Sequence, residues 1–261
     1  MAASASQGRA RKRFGQNFLI DEAIVERIVT ALALRSSDRL LEIGPGRGAL
    51  TRALHAHSLQ RYVGVEIDRD LIAGLRAEFP KLEVINADVL RFDLGGLLAG
   101  HRWRLVGNLP YNISTPLLMR VFEHGAHLQD AHVMLQREVA ERLTAQPGTK
   151  QWGRLSVVAQ YHCTIEQLFL VAPESFQPVP KVFSCVVRLV PRDDKLPLAH
   201  EEALQRVLRS AFSARRKRIA NGLKSLPIAW QRVGVDTDLR ADQLTVADYV
   251  ALANACEEDE Q

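Results

Sequence analysis

Leu41-Glu42-Ile43-Gly44-Pro45-Gly46-Arg47-Gly48-Ala49 is a short apolar run that breaks into a glycine-rich turn just before a helical pattern begins. A strand-to-helix turn of this kind lets the backbone approach a nucleotide-like ligand closely, because glycine carries no Cβ. Two ligand classes fit it. Gly44, Gly46 and Ala49 satisfy the G-x-G-x-x-A variant of the dinucleotide fingerprint, while Glu42, Gly44, Gly46 and Gly48 satisfy the E-x-G-x-G-x-G form used by S-adenosylmethionine enzymes. The loop by itself does not choose between them.

Outward from this turn, short apolar runs alternate with longer amphipathic stretches, the signature of βαβ units and a mostly parallel sheet. Strands are expected at 39–43, 62–67, 82–85, 103–106 and 132–136, and helices at 49–56, 69–79 and 115–124. A helix is expected at 153–161, then extended runs at 165–171 and 184–190. As an antiparallel edge pair, these would complete the seven-stranded, Rossmann-like α/β sheet of a class I methyltransferase. The polar, proline-bounded stretch 191–197 reads as a linker. Beyond it only helical spacing remains, at 201–212, 215–223, 229–233 and 245–254, implying a small all-helical domain. The expected division is therefore a basic arm at 1–13, a main domain at 14–191 and a helical domain at 198–261.

The 261 residues suffice for such a pair of domains, and 47% hydrophobic with 25% charged residues is ordinary globular composition. No apolar run approaches the roughly 18 residues of a membrane span, so a soluble, cytoplasmic protein without membrane association is expected. Cys163, Cys185 and Cys256 are odd in number and far apart, which fits a reducing compartment and neither a disulfide framework nor a metal site. The net charge of +4 is weak support for a nucleic-acid partner, so local clusters must carry that case. Two stand out: Arg9, Arg11, Lys12 and Arg13 near the N-terminus, and Arg215-Arg216-Lys217-Arg218, joined by Lys224, on an expected helix. A solvated helix face would use the same residues.

Three further features fall at expected strand ends. Glu66 stands 22 positions after Gly44, where a carboxylate accepts from both hydroxyls of a ribose, in NAD and S-adenosylmethionine enzymes alike. Its neighbour Asp68 reads as the cap of the next helix. In Asn86-Ala87-Asp88-Val89, Asp88 can accept from an adenine amino group while the Val89 amide donates to the ring. Asn108-Leu109-Pro110-Tyr111 follows the fourth strand. There the Asn108 oxygen and the Leu109 carbonyl, stiffened by Pro110, can each accept a hydrogen of an exocyclic amine and draw out its delocalised lone pair, with Tyr111 stacking on the base. Asn and Pro also favour ordinary turns, but the convergence of four such features on one crevice favours a cofactor feeding a reactive site.

Arg11-Lys12-Arg13-Phe14-Gly15-Gln16-Asn17-Phe18-Leu19, Glu42-Ile43-Gly44-Pro45-Gly46, Val65-Glu66-Ile67-Asp68-Arg69-Asp70-Leu71, Asn108-Leu109-Pro110-Tyr111-Asn112-Ile113-Ser114-Thr115 and Gln136-Arg137-Glu138-Val139-Ala140 together resemble the ribosomal RNA adenine N6,N6-dimethyltransferases, most nearly the bacterial 16S enzymes. The resemblance runs from about Gly8 into the C-terminal domain. It implies S-adenosyl-L-methionine as cofactor, held by Asn17, the backbone at Leu19, Gly44, Gly46, Glu66, Asp88, Val89 and Asn108. It also implies that Asn108 and Leu109 grip the target amine, that Tyr111 and Phe176 sandwich the base, and that the basic clusters, Arg11, Lys12, Arg13 and Arg215 to Arg218, contact 16S rRNA in the small ribosomal subunit. A monomer without metal is expected. Phe183 stands where relatives often carry a polar residue, and the resemblance gives it no role.

The implied chemistry is direct attack of the amine on a sulfonium methyl, with positioning and oxygen dipoles in place of a strong base. Leu109, where similar DNA enzymes carry Pro, is expected to leave room for a once-methylated amine. Competing readings are a macrolide-resistance methyltransferase of 23S rRNA, a DNA adenine methyltransferase, a non-catalytic assembly or transcription factor that keeps the fold, and an NAD-dependent oxidoreductase.

Overall fold

The computed structural model describes residues 16–257. The arm with Arg11, Lys12 and Arg13 and the end of the acidic tail lie outside the described residues. In chain order the elements are β1 (Phe18–Leu19), α1 (Glu22–Leu32), β2 (Arg39–Ile43), α2 (Ala49–His55), β3 (Arg61–Glu66), α3 (Arg69–Glu78), β4 (Glu83–Asn86), α4 (Leu94–Leu98), β5 (Trp103–Asn108), α5 (Ser114–Glu123), β6 (Leu128–Gln136), α6 (Arg137–Leu143), α7 (Arg154–His162), β7 (Cys163–Val171), β8 (Phe176–Gln177), β9 (Ser184–Pro191), α8 (Glu201–Ser213), α9 (Ile219–Gly222) and α10 (Val246–Asn254).

Seven strands form one sheet in the order β4-β3-β2-β5-β6-β9-β7. The first five are parallel, and β9 runs antiparallel to β6 with Met134 opposite Val186. This is the expected α/β sheet, with most strand ends shifted by a residue or two and β6 starting four residues earlier than its expected range of 132–136. The central strands are apolar along nearly their whole length because helices cover both faces: Leu40, Leu41, Val63, Leu105 and Val106 are all buried. The sequence pattern missed α1, whose N-terminus is capped by Asp21 accepting from the amides of Ala23 and Ile24. Its residues Ile24, Val25, Ile28 and Leu32 form the buried stripe of an amphipathic helix.

The chain divides into two compact units: residues up to Ala140 with Ile165–Pro191, and Glu141–Thr164 with Arg192–Gln261. The second unit thus includes α7, a segment that the sequence pattern places in the main domain. In this unit α7, α8 and α10 pack together, with Leu204, Val207 and Leu208 of α8 buried. The ring of Phe212 stacks on Tyr249 at 5.7 Å. The expected helix at 215–223 is not formed as such. The chain leaves α8 at Ser213 and turns, and Arg218 makes an antiparallel bridge to Arg240. Only the four residues of α9 remain helical. The cluster Arg215 to Arg218 therefore lies on a turn, for a visible reason: the Arg215 guanidinium donates to the carbonyls of Thr149 and Lys150 and reaches Asp242.

Two buried polar clusters lie in the first unit. Arg104 on β5 donates to both oxygens of Asp130 on β6, at 2.8 and 2.6 Å, and to Asp38 at 3.2 Å. Burial pulls the neighbouring His132 down to about 4, so its ring is neutral there. Nearer the glycine turn, the buried Glu42 carboxyl accepts from the hydroxyls of Thr51 and Tyr62. Burial pushes Glu42 up to about 7, although these two hydrogen bonds oppose the shift.

Removing one partner of a buried ion pair strands the other charge. Arg104→Met should therefore lower the free energy of unfolding by about 3–5 kcal/mol in chemical denaturation. Glu42 has its raised pKa only when folded, so its contribution is complete below the ordinary value of 4.5 and is lost as pH rises towards 7. In Glu42→Gln that loss should disappear. The stability of the variant relative to the parent should grow by about 3 kcal/mol between pH 4.5 and pH 8, and parallel stability curves would contradict the assignment.

Candidate active site

The carboxyl ends of β2, β3, β4 and β5 lie along one edge of the sheet and open into a cavity of about 320 Å³. Asn17, Gly44, Gly46, Glu66, Asp88, Val89, Asn108, Leu109 and Tyr111 all line it. The sequence therefore foresaw nine residues from five separate stretches that share one space. Gln16, Phe18 and Asn112 join them.

Gly44 forms the floor where β2 ends. Its φ of +65° lies in the left-handed region, and an added Cβ would meet nothing within 4 Å. The backbone is thus bare towards open space, as close approach of a ligand requires. Glu66, at the end of β3, is buried, and burial raises its pKa. The amides of Gly46 and Asp68 donate to its two oxygens, at 2.9 and 2.8 Å. The Ile67 amide also bonds this carboxylate, which with about four acceptor sites keeps capacity for a ligand hydroxyl. Asp68 caps α3, as its sequence position suggested. Asp88 accepts from the Leu90 amide at 2.9 Å. Arg120 of α5 fixes the same loop by donating to the carbonyls of Val89 and Phe92 at 2.6 and 2.9 Å. Arg120 was not foreseen, because it acts from a helix about thirty residues downstream.

At the end of β5, the Asn108 Nδ2 donates to the carbonyl of Asn17 at 2.8 Å. With the amide nitrogen committed, Oδ1 remains the group free to accept from a ligand. The Leu109 side chain is fully buried and its amide donates to the Met134 carbonyl at 3.1 Å. A proline there would lose that bond, so Leu109→Pro would not report on room for a methyl group alone. The Tyr111 hydroxyl is hydrogen-bonded to Ser184 at 2.7 Å, and burial raises its pKa.

Two further expected site residues have buried side chains. Phe176 is 1% exposed and packed in the core. The Leu19 side chain is likewise buried, while its backbone, the part the resemblance assigns to the cofactor, lies in the β1–β8 ladder directly after the cavity residues Asn17 and Phe18. The Phe18 side chain lines the cavity, its ring against Gly46 and under the Arg47 guanidinium at 4.3 Å. In a two-residue strand one side chain must face in and the next out, and the sequence did not show which. Arg215 to Arg218 belong to the second unit, where Arg215 and Arg218 meet Asp242 and Asp238. Arg216 and Lys217 are exposed.

Among the described residues no helix is long and apolar enough to cross a membrane, and no cluster of His, Cys, Asp and Glu could hold a metal ion. The family described as ribosomal RNA adenine dimethylase matches residues 7–258. The ribosomal RNA small subunit methyltransferase A of Alcanivorax borkumensis is 52% identical over 94% of this chain and 90% of its own length. Among solved structures, a dimethyladenosine transferase from Plasmodium falciparum has a TM-score of 0.75 at 26% identity, covering 90% of this chain and 95% of that one. The 23S rRNA methyltransferase ErmE has a TM-score of 0.71 at 28% identity, covering 93% and 100%. The cavity at the carboxyl ends of β2 to β5 is thus set in a chain that belongs to the ribosomal RNA adenine dimethylase family.

Proposed function

We propose that this protein transfers methyl groups from S-adenosyl-L-methionine to N6 of two adjacent adenines near the 3′ end of 16S rRNA in the small ribosomal subunit, giving N6,N6-dimethyladenosine. The observation that carries this reading is the orientation of Asn108. Its nitrogen is tied to Asn17, which leaves its oxygen as the acceptor, and Asn108 lines one cavity with Leu109, Tyr111, Glu66 and Asp88. The 52% identity to a small-subunit methyltransferase favours that subunit over the 23S alternative, to which ErmE is alike at 28%.

The cavity residues fit the cofactor. Gly44 leaves room for its amino-acid end, Glu66 offers lone pairs to the ribose hydroxyls, and Asp88 with the Val89 amide suits the edge of an adenine. When bound, S-adenosylmethionine supplies an electrophilic methyl on a sulfonium. On the protein side, Asn108 Oδ1 and the Leu109 carbonyl accept the two hydrogens of the target amine. That frees the nitrogen lone pair from the ring and places two dipoles against the positive charge that develops there. Tyr111, steadied by Ser184, is positioned to stack on the base. A base that reaches this cavity must be unpaired or flipped out of a helix.

Labelled S-adenosylmethionine offered to small subunits that lack the modification should yield dimethyladenosine on digestion of their RNA. Label in 23S rRNA instead would overturn the proposal. Asn108→Ala should still bind S-adenosylhomocysteine in calorimetry while kcat falls about 100-fold, the usual cost of deleting one preorganised polar group at a site of developing charge.

A further inference from the structure

The segment Pro178-Val179-Pro180-Lys181-Val182-Phe183 leaves Val179 62%, Val182 44% and Phe183 47% exposed. Isolated apolar side chains on a surface need no explanation, but three large ones within five residues form a patch that does. The same six residues include one cation, Lys181, and no acid. The end of the segment is firmly placed: the Phe183 carbonyl accepts from the Arg137 amide at 2.9 Å. The next residue, Ser184, is paired with Gln136 in the sheet and holds the Tyr111 hydroxyl. Phe183 therefore stands one residue from the group that steadies Tyr111, at the edge of the sheet where Asn108 lies.

We infer that Phe183 is a stacking platform for an unpaired nucleobase next to the target adenine, with Lys181 set to meet a phosphate of the same strand. This rests on reading the cavity as an adenine-methylating site. An exposed ring offers its face to any base, and a nearby cation serves the backbone that links one base to the next. Val179 and Val182 add two further exposed apolar side chains in the same segment. Phe176, the other aromatic ahead of this segment, is buried, whereas Phe183 is exposed. A hydrophobic contact with a ribosomal protein would also use an exposed Phe, but the cation and the absence of acids in the segment favour RNA.

The test is steady-state methylation of unmodified small subunits by the full chain and its Phe183→Ser, Phe183→Leu and Phe183→Trp variants. Stacking predicts that Phe183→Ser raises KM for the subunit about 10-fold, with kcat within about 2-fold of the parent and S-adenosylhomocysteine binding unchanged. Phe183→Trp should restore the parental KM, and Phe183→Leu should not. An unchanged KM in Phe183→Ser overturns the inference, as does a parental KM in Phe183→Leu, which would indicate an aliphatic contact with a protein. Should the serine variant fail to fold, the Leu and Trp variants decide alone, and equal KM values in those two overturn the stacking role. If the parent chain forms no dimethyladenosine on these subunits, the underlying reading fails instead. With the parent active, only the role of Phe183 is at stake.

Discussion

The site depends on how closely β5 can lie against β2. At Gly107 an added Cβ would stand 2.7 Å from the Ile43 carbonyl, so this position tolerates no side chain without moving a strand. The seam matters because of topology. From β2 the chain builds outward through β3 and β4, whereas β5 starts the other half of the sheet through β6. The loops leaving β2 and β5 therefore part in opposite directions, and a crevice opens between them at the carboxyl ends of the strands. Gly44 stands on one side of that crevice and Asn108 on the other. A strand displaced at residue 107 would move Asn108 first.

The roof of the crevice is coupled to its floor through contacts distant in sequence. The N-terminal strap 16–21 is held by the β1–β8 ladder, by Ser175 donating to Asp21 at 2.8 Å and by Asn108 donating to Asn17. The hydrogen bond from Ser175 is the main cause of the lowered pKa of Asp21, which also caps α1. The same carboxylate thus starts a helix and anchors the strap. The Asn108–Asn17 bond does two jobs as well, orienting the Asn108 amide and tying the strap to the end of β5.

The parts of the site that could be read from the sequence are those encoded by local pattern. An apolar run followed by Gly44, Glu66, Asp88 or Asn108 places each residue at a strand end, and parallel strands bring such ends together. What could not be read depends on partners far along the chain. The two residues of β1 carry no periodicity, so nothing local tells that Phe18 faces the cavity while Leu19 and Phe176 face the core. Arg120 looks like any cation on an amphipathic helix until its guanidinium is seen on the carbonyls of Val89 and Phe92. Residues 215–223 have helical spacing, yet the bridge between Arg218 and Arg240 and the bonds of Arg215 to Thr149 and Lys150 override it. The glycine turn was legible as a ligand loop but not as one cofactor's loop. Whole-chain similarity decided the family.

On the proposed chemistry, the two acceptors at the rim bear on why methylation would proceed twice and then stop. An unmodified amine has two hydrogens for Asn108 Oδ1 and the Leu109 carbonyl. A once-methylated amine has one, so it can still be held by either acceptor while the methyl group takes the other direction. A dimethylated amine has none, and two desolvated acceptors would then face carbon. An unpaired buried acceptor costs about 1–3 kcal/mol, so the doubly methylated base is the species that the site holds least well. The same two oxygens that draw out the lone pair in each step would thus disfavour the final product, with no change in the fold and no additional group.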